Sequence, residues 1–459
     1  MLETLVPSVL AKKCLLAIIK KLLVQATKRE KGMATVEVLS KEIIKPSTPT
    51  YEDLKTLKLS ILDHINPHVY ARHAFFYPSS PSGPTNAHLK ASLSKLLVKY
   101  YPFAGRIDKT TINCNDEGVE FFEATTPAKL DEILKDLDID QLAPFFPASN
   151  DVSSREFDNK SCLVIQVTTL GCGGVIIATW FSGKAGDPYN FVRFMNDWAA
   201  LTVNPNGSLA ADPEFVGASA FPLPNQMAYM PAPNPEKPVF PTRRFVFEAS
   251  KLQPLQTEGS DPIPADSVVI ALLFKSIAVA MKSSGSRKKC MIDYVVNLRG
   301  KTNPPISENA AGSYGSHNFL SLTEEELGVV PITEKLKGAV AELQEKYSKK
   351  DTDDEWSSDM FKGFIKLIKV MLIERGEMFV FISCVGLPFY EVNFGWGNPI
   401  WVGAPSLPWK NCILLRNIKK GGTDIEAWVS LEDANVLETV ASDEELLAYA
   451  TINPSIPLN

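Results

Sequence analysis

A mixed α/β protein of about two domains is what this sequence predicts, on three observations. Its 459 residues exceed what one ordinary hydrophobic core supports. Strand-like and helix-like apolar patterns alternate through both halves of the chain. Between the halves lies 204–241, with prolines at 205, 213, 222, 224, 231, 233, 235, 238 and 241. That density sustains neither a helix nor a central strand.

The predicted organisation is an extension over 1–32, a first domain over 33–203, a proline-rich crossover over 204–241 and a second domain over 242–459. The extension carries Lys12, Lys13, Lys20, Lys21, Lys28, Arg29 and Lys31 against Glu3 and Glu30. Lysine pairs interrupt its apolar residues, so no run reaches the roughly 20 residues of a membrane span. A basic amphipathic helix at a membrane surface, an organelle transit peptide and an upstream start ahead of Met33 all fit it. A dispensable extension is the favoured expectation.

In the first domain, Thr35–Ile44 alternates as a strand and Ala74–Tyr77 forms a second, closed by Pro78. Leu89, Leu93, Leu96 and Leu97 recur at helical spacing within Asn86–Tyr101. Cys162–Thr169 and Val175–Phe181 read as buried strands around the turn Gly171-Cys172-Gly173-Gly174. In the crossover, Phe221, Met227, Tyr229 and Met230 suggest a path held against the surface. The second domain opens with strand Arg243–Glu248 and a helix over about 267–281, for which Asp266 is the natural N-cap. Strand Met291–Leu298, helices over about 332–349 and 357–375, and strands Phe379–Val385, Ile413–Leu415 and Asp424–Ser430 complete it.

Several function classes are excluded. A formal net charge of −6 argues against a general nucleic-acid binder. The seven cysteines are scattered without a C-x-x-C pair, which points to a reducing compartment and away from structural zinc. No H-E-x-x-H, Walker loop or G-x-G-x-x-G occurs, so no metal or dinucleotide is expected.

Two stretches carry the candidate chemistry. In Thr179-Trp180-Phe181-Ser182-Gly183-Lys184-Ala185-Gly186-Asp187-Pro188, Asp187 before Pro188 is a helix start, a cap worth about 0.5–2 kcal/mol. Phe191, Phe194 and Trp198 then fall on one helix face. Near the C-terminus, Asn393-Phe394-Gly395-Trp396-Gly397 places glycines where tight geometry and close packing are required.

Together these segments resemble the plant BAHD acyltransferase family, with its H-x-x-x-D motif after a strand preceded by a G-G turn and its D-F-G-W-G motif. Asn297-Leu298-Arg299 before Pro304-Pro305, Pro399-Ile400-Trp401-Val402 and Ile425-Glu426-Ala427-Trp428-Val429 are similar to further family segments in the same order. The likeness spans about 36–456 and is nearest the alkaloid and terpenoid ester branch. It implies two pseudo-symmetric domains like chloramphenicol acetyltransferase, with mixed β-sheets flanked by helices and a channel between them. It also implies acyl-CoA as co-substrate with no tightly bound cofactor, a small alcohol or amine acceptor, and a monomeric cytoplasmic protein. By the same resemblance Asp187 is structural and pairs with Arg299, Gly395 and Gly397 are structural, and Trp396 is at most a secondary participant.

The sequence departs from the family at the decisive point, because the histidine slot is Gly183. Asn393 replaces the second motif's aspartate, and Pro188-Tyr189-Asn190 follows Asp187 where the family has smaller residues. A positioned general base contributes about 10²–10⁴-fold, or roughly 3–5.5 kcal/mol of barrier. Positioning supplies a comparable share and survives its loss. His317, the one histidine in the second half, is either a polar residue at a strand end or a surrogate base. Lys282, Arg287, Lys288 and Lys289 either meet CoA phosphates or face solvent. Three functions stay open: an acyl-CoA-dependent transferase with another base, a CoA-independent lyase, cyclase or rearrangement enzyme, and a non-catalytic metabolite binder.

Overall fold

The computed structural model describes residues 35–457, apart from 67–68, 149–158, 225–239, 259–260, 349–356, 366–375 and a few single positions. The basic extension, the second half of the crossover and most of the helix expected over 357–375 lie outside the described residues.

Among the described residues the strands form three sheets. The first has six strands in the order Glu37–Ile44, Val119–Thr126, Leu163–Leu170, Val175–Ser182, Tyr70–Tyr77 and Trp401–Gly403. The central strands are buried on both faces, as their unbroken apolar runs dictate. Gly173 sits at φ +80° in the turn that joins Leu163–Leu170 to Val175–Ser182. Helices Asn86–Leu96 and Pro188–Val203 pack together. The Trp198 indole fastens them by donating to Leu89 O and Ser92 Oγ, each at 3.1 Å.

The second sheet has seven strands: Gly315–Ser321, Cys290–Asn297, Glu377–Ser383, Cys412–Asn417, Ile425–Ser430, Thr242–Phe247 and Ala450–Ile452. Helices Ala265–Ser283 and Val329–Ser348 contact each other, and buried residues of both belong to this sheet's core. Pro264, not Asp266, is the N-cap of the first. Asp266 lies inside the first turn, where its carboxylate accepts from Ser267 N–H and the Ser383 hydroxyl. The third sheet is small and built from Thr56–Lys58, Thr111–Asn113, Arg106–Asp108 and Lys160–Ser161.

The two large sheets exchange chain. Strand Trp401–Gly403, late in the sequence, pairs antiparallel with Tyr70–Tyr77. Phe389, Tyr390, Val392, Phe394 and Trp396 are buried in the first core along with it. A buried charge cluster ties this crossing strand back to the second sheet. Glu426 accepts from Arg416 Nε at 3.1 Å, Arg244 at 3.3 Å, Trp428 at 3.0 Å and Trp401 at 3.4 Å. Arg416 also donates to the carbonyl of Val402. The described part of the crossover is packed as well: Phe221 is buried, its carbonyl accepts from Ile61 N–H, and Glu214 pairs with the 309–311 segment.

Glu426→Ala would leave two guanidiniums buried without their carboxylate. It is expected to cost about 3–5 kcal/mol in urea unfolding. Burial acts to raise the Glu426 pKa, but Arg416 and then Arg244 hold it below its ordinary value. A depressed carboxylate stabilises the fold above its unfolded pKa. The wild type should therefore lose this contribution as pH falls below the ordinary glutamate range, while the variant's stability changes less there.

Candidate functional site between the two halves

The turn after strand Val175–Ser182 is held on every side by backbone bonds. Gly183 N–H donates to Val69 O at 2.9 Å, and Ala185 N–H to Ser182 O at 2.9 Å. The Lys184 side chain turns inward, donating to the carbonyls of Asp63 (2.9 Å) and His64 (2.7 Å). These lie at the C-terminal end of helix Ile61–Ile65, where a cation is favoured. Burial lowers the Lys184 pKa to about 8.

Asp187 is committed at both oxygens. One caps helix Pro188–Val203 by accepting from Asn190 N–H at 2.9 Å. The other accepts from Arg299 Nη1 at 2.7 Å and from Tyr314 N–H at 2.9 Å. Arg299 is buried and also donates to the carbonyls of Ala310 and Gly312, with Tyr189 and Tyr314 rings about its guanidinium. The turn of the first half is thereby clamped to the second.

A cavity of about 130 Å³ lies against this clamp, and both halves line it. Gly183, Asp187 and His73 come from the first half, and His317, Ser313 and Cys412 from the second. Gly183 presents no side chain there, and its φ is outside the positive range. His317 faces the same space. The register explains its surroundings: His317 pairs with Val295 across the antiparallel ladder, so Asp293 is its diagonal neighbour on the same face. His317 Nδ1 meets Asp293 Oδ2 at 2.8 Å, and Nε2 meets Asn66 Oδ1 at 3.2 Å. Asn66 in turn donates to the Ser313 hydroxyl at 2.6 Å. Burial acts to lower the His317 pKa, but the Asp293 carboxylate raises it overall. His73 differs: it stacks on Phe191 at 4.7 Å, and burial, with Arg416, lowers its pKa to about 3.

The second motif lies elsewhere. Asn393 Oδ1 accepts from Gly395 N–H at 2.8 Å and Gly397 N–H at 3.2 Å, and both glycines have positive φ. An amide oxygen thus makes these turn bonds without a carboxylate. Trp396 is buried against Tyr77 and so close to Gly83 that a Cβ there would lie 1.9 Å from the indole. None of residues 393–397 lines the cavity. In the basic stretch, Lys282 pairs with Glu324 and Lys288 with Glu377, while Arg287 lies outside the described residues. No group of three or more His, Cys, Asp or Glu among the described residues comes together to hold a metal.

The sequence profile of the Transferase family matches residues 34–447. This chain belongs to the BAHD acyltransferases. It is 33% identical over 429 residues to a 17,18-epoxy-17-hydroxycur-19-ene N-malonyltransferase of Strychnos nux-vomica, covering 91% of each chain. The crystal structure of vinorine synthase aligns with a TM-score of 0.75 at 27% identity, covering 90% of this chain and 98% of that one. At 17% identity, F. sporotrichioides TRI101 complexed with coenzyme A and T-2 shares the fold with a TM-score of 0.66, covering 87% of this chain and 99% of its own.

Within this BAHD chain, sequence reasoning singled out Gly183, Asp187, Arg299 and His317 but missed Asp293, Asn66 and His73. Asp293 carried a usable signal, being a carboxylate in the middle of the apolar strand Cys290–Asn297. Asn66 carried none, since its importance arises from a contact 251 residues away in sequence.

Asp187→Ala removes both the cap and the partner of a buried arginine, and is expected to destabilise by about 3–5 kcal/mol. Asp187→Asn keeps an acceptor and should lose less. Equilibrium urea unfolding of both variants checks the ranking; equal losses would show that the charge, and not the cap, carries the whole effect.

Proposed function

We propose that this chain transfers an acyl group from a coenzyme A thioester to the hydroxyl or amine of a small alkaloid or terpenoid, within the cavity between its halves. The observation that carries the reading is the intact clamp: the motif turn keeps its Asp187–Arg299 bond and aims position 183 into an interdomain cavity. The walls suit the apolar part of an acceptor, since Phe181, Phe191, Val295, Leu407 and Leu414 line the same space. Similarity to an N-malonyltransferase and a shared fold with a coenzyme A complex support the donor class.

In the reaction, the acceptor oxygen or nitrogen attacks the thioester carbonyl, a new C–O or C–N bond forms, and the C–S bond breaks. The acceptor's proton ends on the departing thiol. Holding acceptor and thioester in one apolar enclosure supplies much of the acceleration. Gly183 contributes no base to it.

No helix among the described residues is long and apolar enough to cross a membrane. The reading adds a monomer resident in the cytoplasm, with residues 1–32 as the segment for any membrane-surface contact.

Calorimetry with coenzyme A should show saturable binding. Free-thiol release from acetyl-CoA and malonyl-CoA, measured over a panel of alkaloid and terpenoid alcohols and amines, should reveal an acylated product. Absence of coenzyme A binding would remove the proposal and favour a CoA-independent reaction in the same cavity.

A further inference from the structure

We infer that the proton-accepting role vacant at Gly183 is carried from the opposite wall of the cavity by His317, with Asp293 and Asn66 as its positioning residues. The inference rests on the acyl-transfer reading and names the group that completes it.

Three observations converge. His317 shares the cavity with Gly183, so it faces the space where the acceptor must lose its proton. Its Nδ1 lies 2.8 Å from the buried carboxylate of Asp293, whose other oxygen has no hydrogen-bond partner among the described residues. A buried carboxylate with a histidine as its hydrogen-bond partner fixes the tautomer: Nδ1–H donates to Asp293 and Nε2 carries the lone pair. The same carboxylate stabilises the imidazolium once a proton arrives.

Asn66 completes the device. With Nε2 protonated, Asn66 Oδ1 accepts from it and Nδ2 donates to the Ser313 hydroxyl, the arrangement of the 3.2 and 2.6 Å contacts. With Nε2 neutral, a half-turn of the amide lets Nδ2 donate to Nε2 while the Ser313 hydroxyl donates to Oδ1. The Asn66 contact is the longer of the two made by the ring, and an acceptor hydroxyl would replace it. Nε2 then takes the acceptor's proton as the C–O bond forms, and returns it to the thiolate sulfur as the C–S bond breaks.

His73 is the competing histidine. It stacks on Phe191, and its Nδ1 is buried without a partner among the described residues. No carboxylate among the described residues hydrogen-bonds it to stabilise a charged form, and burial with Arg416 leaves it a weak base.

The pH dependence follows from what faces His317. Asp293 lies on the neighbouring strand; Glu342 and Lys346 of helix Val329–Ser348 line an adjoining cavity that His317 also lines; Asp187, Arg72, His73 and Cys412 share the first cavity. Of these, Asp293 is the one in direct contact, and it holds the His317 pKa above its ordinary value. Activity requires the neutral ring, so the acidic limb of the kcat profile should lie above the ordinary histidine range.

The test measures thiol release from acetyl-CoA with the acceptor panel for wild type, His317→Ala, Asp293→Asn, Gly183→His and the double variant Gly183→His/His317→Ala. His317→Ala should lower kcat by about 10²–10⁴-fold while coenzyme A binding is unchanged. Asp293→Asn should lower kcat by roughly tenfold or more and move the acidic limb to lower pH. The double variant should recover activity lost in His317→Ala, which a folding defect would not allow. His317→Ala activity within about threefold of wild type, or an acidic limb unmoved by Asp293→Asn, overturns the inference. So does a silent wild type beside an active Gly183→His. No turnover by either of those two proteins overturns acyl transfer itself, and the inference with it.

Discussion

The bond between Asp187 and Arg299 is the constraint on which the rest of this site depends. A guanidinium taken out of water needs its donors satisfied and its charge paired. Arg299 meets that need with one carboxylate from the first half and carbonyls from the 310–312 segment of the second. The same carboxylate caps the helix that carries Phe191 and Trp198. One residue therefore starts a helix, joins two sheets and sets the position of residue 183 at the cavity.

Because that geometry is built from the backbone and from Asp187, it does not require a side chain at 183. Gly183 is held through its own N–H to Val69, and Lys184 beside it anchors helix Ile61–Ile65 through two carbonyls. Shape and chemistry are thus separable in this turn. The turn keeps its bonds to Val69 and Arg299 with glycine at position 183. The NFGWG stretch makes a parallel case: Asn393 supplies the turn's acceptor as an amide, and Trp396 packs against Gly83 and does not line the cavity.

Local signals in the sequence specify the structure where the chain is buried and its pattern repeats. The strands Leu163–Leu170 and Val175–Ser182 lie within a residue of their expected limits, and the Asp187-Pro188 helix begins where its cap chemistry requires. What local pattern does not carry is pairing between distant segments. Strand Trp401–Gly403 is three residues long and joins the first sheet across more than 300 residues of chain, a partnership no periodicity encodes. The edge strand Gly315–Ser321 is half-exposed, so its alternation is weak and the sequence leaves His317 open between a strand-end polar residue and a surrogate base. Asp266 departs from its expected capping position for a different reason: Pro264 ends the loop two residues earlier, and the acidic side chain accepts instead from Ser383.

The register of one antiparallel pair decides what His317 can be. Sliding Gly315–Ser321 by one residue against Cys290–Asn297 would turn the imidazole to the other face of the sheet and away from Asp293. That register is secured by its neighbourhood. Tyr314, just ahead of the strand, donates its N–H to Asp187, and Leu298 N–H returns to Tyr314 O. The Asp187–Arg299 clamp therefore does more than close the motif turn. It pins the first residues of the strand that presents His317, so Gly183 on one wall of the cavity and His317 on the other are positioned by the same buried charge pair. One clamp therefore sets both the motif turn and the register of the strand that faces it across the cavity.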